Sequence, residues 1–591
     1  MQVYRPPLRD MRFVLHELHA AQPLPGHEGC TPELADSILE EAGKFCTEML
    51  LPLNASGDLE GCHYENGAVR TPAGFRQAYQ AFCEAGWGGL NAAAEYGGQE
   101  LPETLAKLVE EMISATNVAF GLYPGLSHGA YVALKSSGAE ALRQLYLPKL
   151  VSGEWSGTMC LTEPHCGTDL GLLRTRAVPQ ADGTYRITGA KIFITAGEHD
   201  LSGNIIHLVL ARLPDAPAGT KGISLFLVPK FLPDADGRPG PRNGVSCAAI
   251  EHKLGIKASA TCQMNFDEAT GWLVGMPNKG MQAMFVMMNS ERLAVGIQGL
   301  GLGEAAYQSA VAYAKERLQG RSPAGTKYPD KPADPIIVHP DIRRNLLTMR
   351  AYTEGCRALG VWVAQAMDRA ERPTGPEERM AADAFVALLT PVVKALFTDI
   401  GFESASLAVQ TYGGHGYIRD HGIEQLLRDA RIAMIYEGTN GIQALDLVGR
   451  KLPTPGLPER FFTPVAEFIE AHNNNPLIGR LVQDFARAFG ALKLATTFIA
   501  EKAPADPEEA GAAATDYLRL FGLVALGFMW VRMALIAAEK APQGGPDAGF
   551  YQAKLTTARF FMERILPQAD ALARTIKTGK ASLMEMPEAA F

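Results

Sequence analysis

An acid occupies an unusual place in IYEGTNGIQ, residues 435 to 443. Glu437 follows Ile435 and Tyr436 and precedes Gly438, Thr439, Asn440 and Gly441, so it lies at a tight turn or helix entry with apolar flanks. A carboxylate is a weak base in water, but removal from water disfavours its charged form and raises its pKa, which suits proton abstraction near neutral pH. A structural reading stands beside this one: an acid before a helix favours the positive end of that helix. Three other stretches could do chemistry: MCLTEPHCGTDLG (159 to 171), KIFITAG (191 to 197) and QTYGGHGYIRD (410 to 420). A further one, MNSERLAVG (288 to 296), sets a second acid, Glu291, directly before Arg292. Singly, each is weak, because Gly-Gly before an aromatic is usually a turn and Thr-Glu-Pro usually a cap or loop.

The elements that must position these residues change character along the chain. PELADSILEEAGKFCTEML, FRQAYQAFCEAGWGGL, TLAKLVEEMISATNVAFGLY and EALRQLYLPKLVSGEW have helical spacing of apolar residues, and Pro148 and Gly153 mark the end of that region. Then YRITGAKIFITAG (185 to 197), NIIHLVLARL (204 to 213), GISLFLVPK (222 to 230) and ATCQMNFD (260 to 267) read as strands separated by turn residues. From Gly280 the texture is helical again, interrupted by SPAGTKYPDKPADP (322 to 335), with a boundary at Pro453, Pro455 and Pro458. The expected division is a helical domain over 1–155, a small β-domain over 156–280, a helical domain over 281–450 and a further helical domain over 451–591. Strands do not alternate with helices, which argues against a doubly wound nucleotide-binding sheet. GLGLGE at 299 to 304 has the wrong spacing for a dinucleotide fingerprint and follows no strand, so close helix packing is its expected role.

Composition bounds the classes of partner. The chain has 591 residues, 47% hydrophobic and 20% charged, with a formal net charge of −9. That balance, without a Lys/Arg-rich run, disfavours a nucleic-acid partner. Nine cysteines show no C-x-x-C spacing, which suggests reduced buried thiols and no metal cluster. MQVYRPPLRDMRFVLHELHAA is interrupted by charges and forms no signal-peptide core, so a cytoplasmic location is expected. LFGLVALGFMWV (520 to 531), closed by Arg519 and Arg532, is too short to span a bilayer and reads as a buried helix, with peripheral membrane contact as the sharper alternative.

Taken in order, the four motifs resemble the acyl-CoA dehydrogenase family over about residues 35 to 450. The N-terminal YRPPLRDMRFVLHEL, the GEWSGTMCLTEP stretch and the C-terminal extension resemble a long subgroup that includes methylthiopropionyl-CoA dehydrogenases as well as enzymes for ordinary fatty acyl-CoAs. The resemblance implies a mainly α fold with a central small β-domain: a helical N-domain, a β-barrel-like middle domain, a C-terminal four-helix bundle and an extra C-terminal helical domain. It implies FAD as cofactor and α,β-dehydrogenation of an acyl-CoA thioester to the trans-2-enoyl-CoA. Electrons would pass to an electron-transfer flavoprotein. An acyl-CoA oxidase using oxygen is the near alternative, and a non-enzymatic flavin- or CoA-binding relative the remote one.

By the same resemblance, Glu437 is the base, flanked by Tyr436 and Gly438 at the substrate, and its backbone N–H donates to the thioester oxygen. Some relatives take the base from the position of Glu291, which is the runner-up here. Arg292 reaches toward the CoA nucleotide. Leu161, Thr162, Gly167 and Thr168 lie against the flavin, with Thr168 also near the pantetheine arm. Ile194 and Thr195 meet the flavin ring edge, and Phe193 stands where many relatives have tryptophan. Gln410, Gly413 and Gly414 match the FAD pyrophosphate and adenine site at a subunit interface, and Thr439 closes over the diphosphate. Arg317 and Gln319 of KERLQGR resemble an arginine and a glutamine of a family motif, although the phenylalanine of that motif is missing and the spacing is one residue shorter. A site shared between chains implies a homo-oligomer, a dimer first.

Overall fold

The computed structural model describes residues 2–19 and 26–591; Met1 and residues 20–25, which include the end of the N-terminal stretch quoted above, lie outside the described residues. The chain divides into two compact units: Lys44–Pro102 with Thr116–Ala294, and Met1–Gly43 with Glu103–Ala115 and Val295–Phe591.

The first unit is built round a closed ring of strands. Thr261–Val274 pairs antiparallel with Tyr185–Thr195, which pairs with Arg176–Pro179. Arg176 meets Arg212 of Asn204–Arg212 in a parallel pairing, Asn204–Arg212 pairs with Ile223–Pro229, and Ile223–Pro229 returns to Thr261–Val274. Closure of this kind removes sheet edges, as a barrel does. Trp155–Cys160 adds in parallel to Asn204–Arg212, and Val245–Ile250 adds to Thr261–Val274. The two central strands are nearly continuous apolar runs because both faces are covered. Val209, Ala211, Phe226 and Val228 point into the barrel core. Their neighbours Ile206, Leu208, Leu225 and Leu227 pack with Leu134, Leu147 and Met287 from the surrounding helices.

Four strands anticipated from the sequence are present at Tyr185–Thr195, Asn204–Arg212, Ile223–Pro229 and Thr261–Val274. The last runs seven residues past the expected end. A bulge with Glu268 at φ +46° carries it through the charged DEAT stretch, where apolar alternation breaks down. Trp155–Cys160 begins just after the helix stop; Gly157 lets it lie close to a helix, since a Cβ there would sit 2.4 Å from the Ala130 methyl.

Two histidines lie wholly inside this unit. His199 accepts from the Leu201 N–H through Nδ1 (3.1 Å) and meets Ser156 Oγ through Nε2 (2.9 Å). His207 Nδ1 lies 2.8 Å from Thr158 Oγ1. Burial, with the Lys230 ammonium as a lesser cause, lowers both pKa values from 6.5 to about 3. The unfolded chain therefore binds more protons between these values, and stability falls as pH falls below 6.5. At pH 5 each histidine is expected to cost about 2 kcal/mol relative to neutral pH. Urea unfolding of the parent and of His207→Gln at pH 7.5, 6 and 5 checks this, because groups common to both proteins cancel in the difference; a stability difference that does not change with pH would contradict it.

The second unit is helical. Gly299 and Gly401 allow a backbone crossing: a Cβ on Gly299 would lie 2.4 Å from the Phe397 carbonyl, and one on Gly401 would lie 2.3 Å from the Gly299 carbonyl. GLGLGE is thus a packing motif, as expected from its spacing. The apolar run 520 to 531 lies within the 34-residue helix Pro507–Lys540, and its residues are buried. Trp530 Nε1 donates to the Ala351 carbonyl (3.0 Å), and Gly522 lets Leu396 approach. By length and composition two helices among the described residues, Pro376–Tyr417 and Pro507–Gln543, could cross a membrane, but their apolar windows are 67% and 83% buried within the protein, as in core helices.

Buried charge ties the ends of this unit together. The Arg357 guanidinium meets Glu111 (3.0 Å), Glu304 (3.0 Å) and Asp10. Lys554, from the C-terminal extension, meets Asp10 and Glu354 (2.8 Å), and Arg350 meets Glu354 (2.7 Å). Burial would raise Asp10, but Lys554 and Arg357 together hold its pKa below the usual range. Burial dominates at Glu111, whose pKa is raised from 4.5 to about 7 despite Arg357.

Candidate active site

The YEGT turn belongs to the helical unit. Glu437 and Gly438 are consecutive left-handed residues, at φ +57° and +87°. A non-glycine residue there carries local strain, of the kind that persists only where surrounding contacts hold it. The contacts come from beneath. Lys394, wholly buried on the helix Pro376–Tyr412, donates to the Gly438 carbonyl (2.8 Å) and to Asn440 Oδ1 (2.9 Å). Asn440 Nδ2 donates to Asp399 (2.7 Å), and Gln443 Nε2 to the Glu437 carbonyl (3.3 Å). The Tyr436 hydroxyl donates to Gln298. Thr439 caps the following helix Asn440–Asp446, its hydroxyl accepting from the Ile442 N–H (3.3 Å). The Glu437 side chain is half-buried.

Two of the other chemical stretches, MCLTEPHCGTDLG and KIFITAG, lie together in the barrel-bearing unit. The Ile192 N–H donates to the Thr162 carbonyl (2.9 Å), and the buried Lys191 ammonium donates to the Leu161 carbonyl (3.0 Å) and to Glu163 (2.9 Å). LTEP and KIFIT are therefore one surface. Burial would raise the Glu163 pKa, but Lys191, the Thr175 hydroxyl and the Arg174 N–H hold it below its ordinary value. A bulge opposite Gln263 carries Phe193 at φ +58°, and the residue is 59% exposed. Ile194 is buried beneath it, while Gly167 and Thr168 are exposed. Among the described residues, the hydroxyls of Thr162, Thr168 and Thr195 make no hydrogen bond within the protein. No metal cluster was expected from sequence spacing, yet Glu163, His165 and Cys166 bring potential ligand atoms within 4.8 Å of one another. The Glu163 oxygens are already used by Lys191, Thr175 and the Arg174 N–H.

Glu291 and Arg292 are buried on the helix Gly280–Glu316 in the same unit as the barrel. Glu291 fills space that Gly129 leaves open, since a Cβ there would meet its Oε1 at 2.5 Å. Arg292 donates to Asn289 (3.3 Å).

In the helical unit, Tyr313 stacks on Tyr412 with ring centroids 4.0 Å apart and donates to or accepts from His415 Nδ1 (2.9 Å). This brings the end of one helix, which leads to Arg317 and Gln319, against the helix end carrying Gln410. Arg317, Gln319, Gln410, Gly413 and Gly414 are exposed. A Cβ at Gly413 or Gly414 would meet nothing within 4 Å, and Gly413 has φ +61°. The buried Asp334 carboxylate organises the loop after Arg317, accepting from the Ser322, Lys327 and Tyr328 N–H groups, which overcome its burial and lower its pKa to about 2.

Known proteins match the chain domain by domain. Models of the acyl-CoA dehydrogenase N-terminal, middle and C-terminal domains match residues 32–154, 158–269 and 278–452, and an acetyl-CoA dehydrogenase C-terminal-like model matches 461–587. A 3-methylmercaptopropionyl-CoA dehydrogenase of Ruegeria pomeroyi is 45% identical over 577 residues, covering 96% of this chain and 97% of that protein. The chain belongs to the acyl-CoA dehydrogenase family. Within the family, a broad-specificity linear acyl-CoA dehydrogenase of Mycobacterium tuberculosis is 34% identical over the full length of both proteins. The acyl-CoA dehydrogenase fold is shared with Caenorhabditis elegans ACDH-11, solved in complex with C11-CoA, at a TM-score of 0.78 and 19% identity, covering 96% of this chain and 92% of that one.

The residues present fit the family's FAD. In the barrel-bearing unit Phe193 offers an exposed aromatic face on a bulge, and the hydroxyls of Thr162, Thr168 and Thr195 lack protein partners; taken by itself, the helical unit leaves the Gly413–Gly414 backbone open to an anion. Lys191 lies inside the KIFITAG motif with no role evident from the sequence, and Lys394 lies outside all the motifs. The signal for Lys394 was legible: a lysine inside the otherwise apolar PVVKALF must find a buried partner.

Proposed function

We propose that this acyl-CoA dehydrogenase oxidises its thioester to the trans-2-enoyl-CoA with Glu437 as the base. The single observation that carries the assignment is the left-handed Glu437–Gly438 turn, held from beneath by Lys394, Asn440 and Gln443. FAD, when bound, supplies the hydride acceptor for Cβ. The Cα proton goes to the Glu437 carboxylate, so both hydrogens lost by the substrate are accounted for. The Glu437 N–H donates to the thioester oxygen and stabilises the charge that develops there. Leu161, Thr162, Gly167, Thr168, Phe193, Ile194 and Thr195 form the flavin-facing surface. Arg317, Gln319, Gln410, Gly413, Gly414 and Thr439 hold its diphosphate and adenine portion. Tyr436, Gly438, Thr168 and Arg292 contact the acyl-CoA. Glu291 acts as a packing acid beside Gly129.

The finer reading is that the preferred substrate is 3-methylmercaptopropionyl-CoA, supported by the Ruegeria pomeroyi relative. Electrons pass to an electron-transfer flavoprotein, and the enzyme works as a cytoplasmic homodimer. Steady-state kinetics with an artificial electron acceptor test the preference. kcat/KM for 3-methylmercaptopropionyl-CoA is expected to exceed that for palmitoyl-CoA by at least about tenfold, the scale on which chain-length differences are discriminated in an apolar pocket. A higher value for palmitoyl-CoA would overturn the substrate assignment. Oxygen consumption matching turnover would identify an oxidase.

A further inference from the structure

We propose that Lys394 is a positioning residue for the base: its buried ammonium holds the Glu437–Gly438 turn and thereby sets the direction of the Glu437 carboxylate. This rests on the reading of Glu437 given above. Lys394 is wholly buried on a helix whose neighbouring positions are apolar, where an ammonium persists only with partners. Two of its partners come from the turn itself, the Gly438 carbonyl at 2.8 Å and Asn440 Oδ1 at 2.9 Å. The first draws the peptide after Gly438 toward the helix. The second locks the residue that opens the next helix.

Asn440 cannot rotate its amide without loss. Its Oδ1 takes Lys394, while its Nδ2 gives to Asp399 (2.7 Å), to Thr398 Oγ1 (3.0 Å) and to the Ala395 carbonyl (3.2 Å). Lys394, Asn440 and Asp399 thus form a directed chain, cation to amide oxygen and amide nitrogen to carboxylate. Glu437, with φ +57°, lies directly before the clamped Gly438, and its own carbonyl accepts from Gln443 Nε2 at 3.3 Å. The carboxylate direction is therefore set by backbone that Lys394 holds. Without the ammonium, the strained pair is free to relax toward φ values that ordinary residues prefer. Misplacement of a reacting group by about 1 Å costs on the order of 100-fold in rate.

The test uses the full-length holoenzyme and the variants Lys394→Met, Glu437→Gln and both together. Lys394→Met is expected to keep its flavin spectrum and to hold KM within about threefold, while kcat falls about 100-fold. The decisive readout is the double variant. If Lys394 acts through Glu437, adding Lys394→Met to Glu437→Gln slows the enzyme no further, because the group being positioned is already inert. Multiplying losses would overturn the proposal and indicate general destabilisation. Wild-type kcat in Lys394→Met, with Glu437→Gln inactive, would overturn the proposal and leave the base assignment standing. An active Glu437→Gln would instead remove the base assignment on which the proposal depends. Asn440→Ala provides the check should Lys394→Met not fold. It removes the side-chain partner but keeps the lysine, and a kcat loss of about tenfold at unchanged KM supports the clamp, whereas unchanged kcat contradicts it.

Discussion

Glu437→Gln lowers kcat by about 1,000-fold or more, within the range that a positioned general base contributes. FAD content and the affinity for a substrate analogue stay near those of the parent, because the amide has nearly the shape of the carboxylate and its backbone N–H is unchanged. Lys394, Asn440 and Gln443 hold the turn through backbone carbonyls and through one another. Glu291→Gln retains most of the activity. Glu291 lies in the space above Gly129 on the helix Gly280–Glu316. A collapse of kcat in Glu291→Gln with an active Glu437→Gln would reverse the assignment.

Arg357→Met costs about 3–5 kcal/mol of stability, the usual effect of removing one partner from a buried ionic set. Arg357 is shared by Glu111, Glu304 and Asp10, so its loss leaves three buried carboxylates with Lys554 as the remaining contact of Asp10. The pH dependence follows from Glu111. Its folded pKa, about 7, lies above the ordinary value of 4.5, so the folded state binds the extra proton and stability falls as pH rises between the two. Without Arg357, Glu111 is held neutral to still higher pH. The deficit of the variant is therefore expected to widen between pH 6 and pH 8. Denaturant unfolding at both values checks this, and a deficit that shrinks with pH would contradict it. A methionine variant as stable as the parent would show that apolar packing replaces the network at no cost.

Much of the architecture could be read from period and punctuation. NIIHLVLAR and ISLFLVP are continuous apolar runs because both faces of those strands are covered. Less legible were strands whose reason is tertiary. Trp155–Cys160 is defined by its parallel partner Asn204–Arg212 and by Gly157 against Ala130, and neither contact leaves a local signature. The hairpin His63–Glu65 with Ala68–Arg70 did leave one, the Asn66–Gly67 pair with φ +52° and +81°, but three-residue strands offer too little alternation to stand out in a helical region.

The chemical residues were legible as motifs because flavin and thioester chemistry demands particular types in a particular order. What holds them was not. The bulge that exposes Phe193 appears only when Lys191 and Ile194 are placed opposite Met264 and Cys262. Asn440 reads as a helix-entry residue, and only the packed helix beneath shows that it links Lys394 to Asp399.

The central claim is that Glu437 removes the proton that allows the substrate to reduce the bound flavin. The most direct measurement is anaerobic rapid mixing of holoenzyme with acyl-CoAs from butyryl to palmitoyl and with 3-methylmercaptopropionyl-CoA, for the parent and for Glu437→Gln. The expected result is rapid bleaching of the oxidised flavin band in the parent by at least one of these thioesters, and a band that persists on the same timescale in Glu437→Gln. Equal bleaching in both proteins, or an intact band in the parent across the whole panel, would contradict the account.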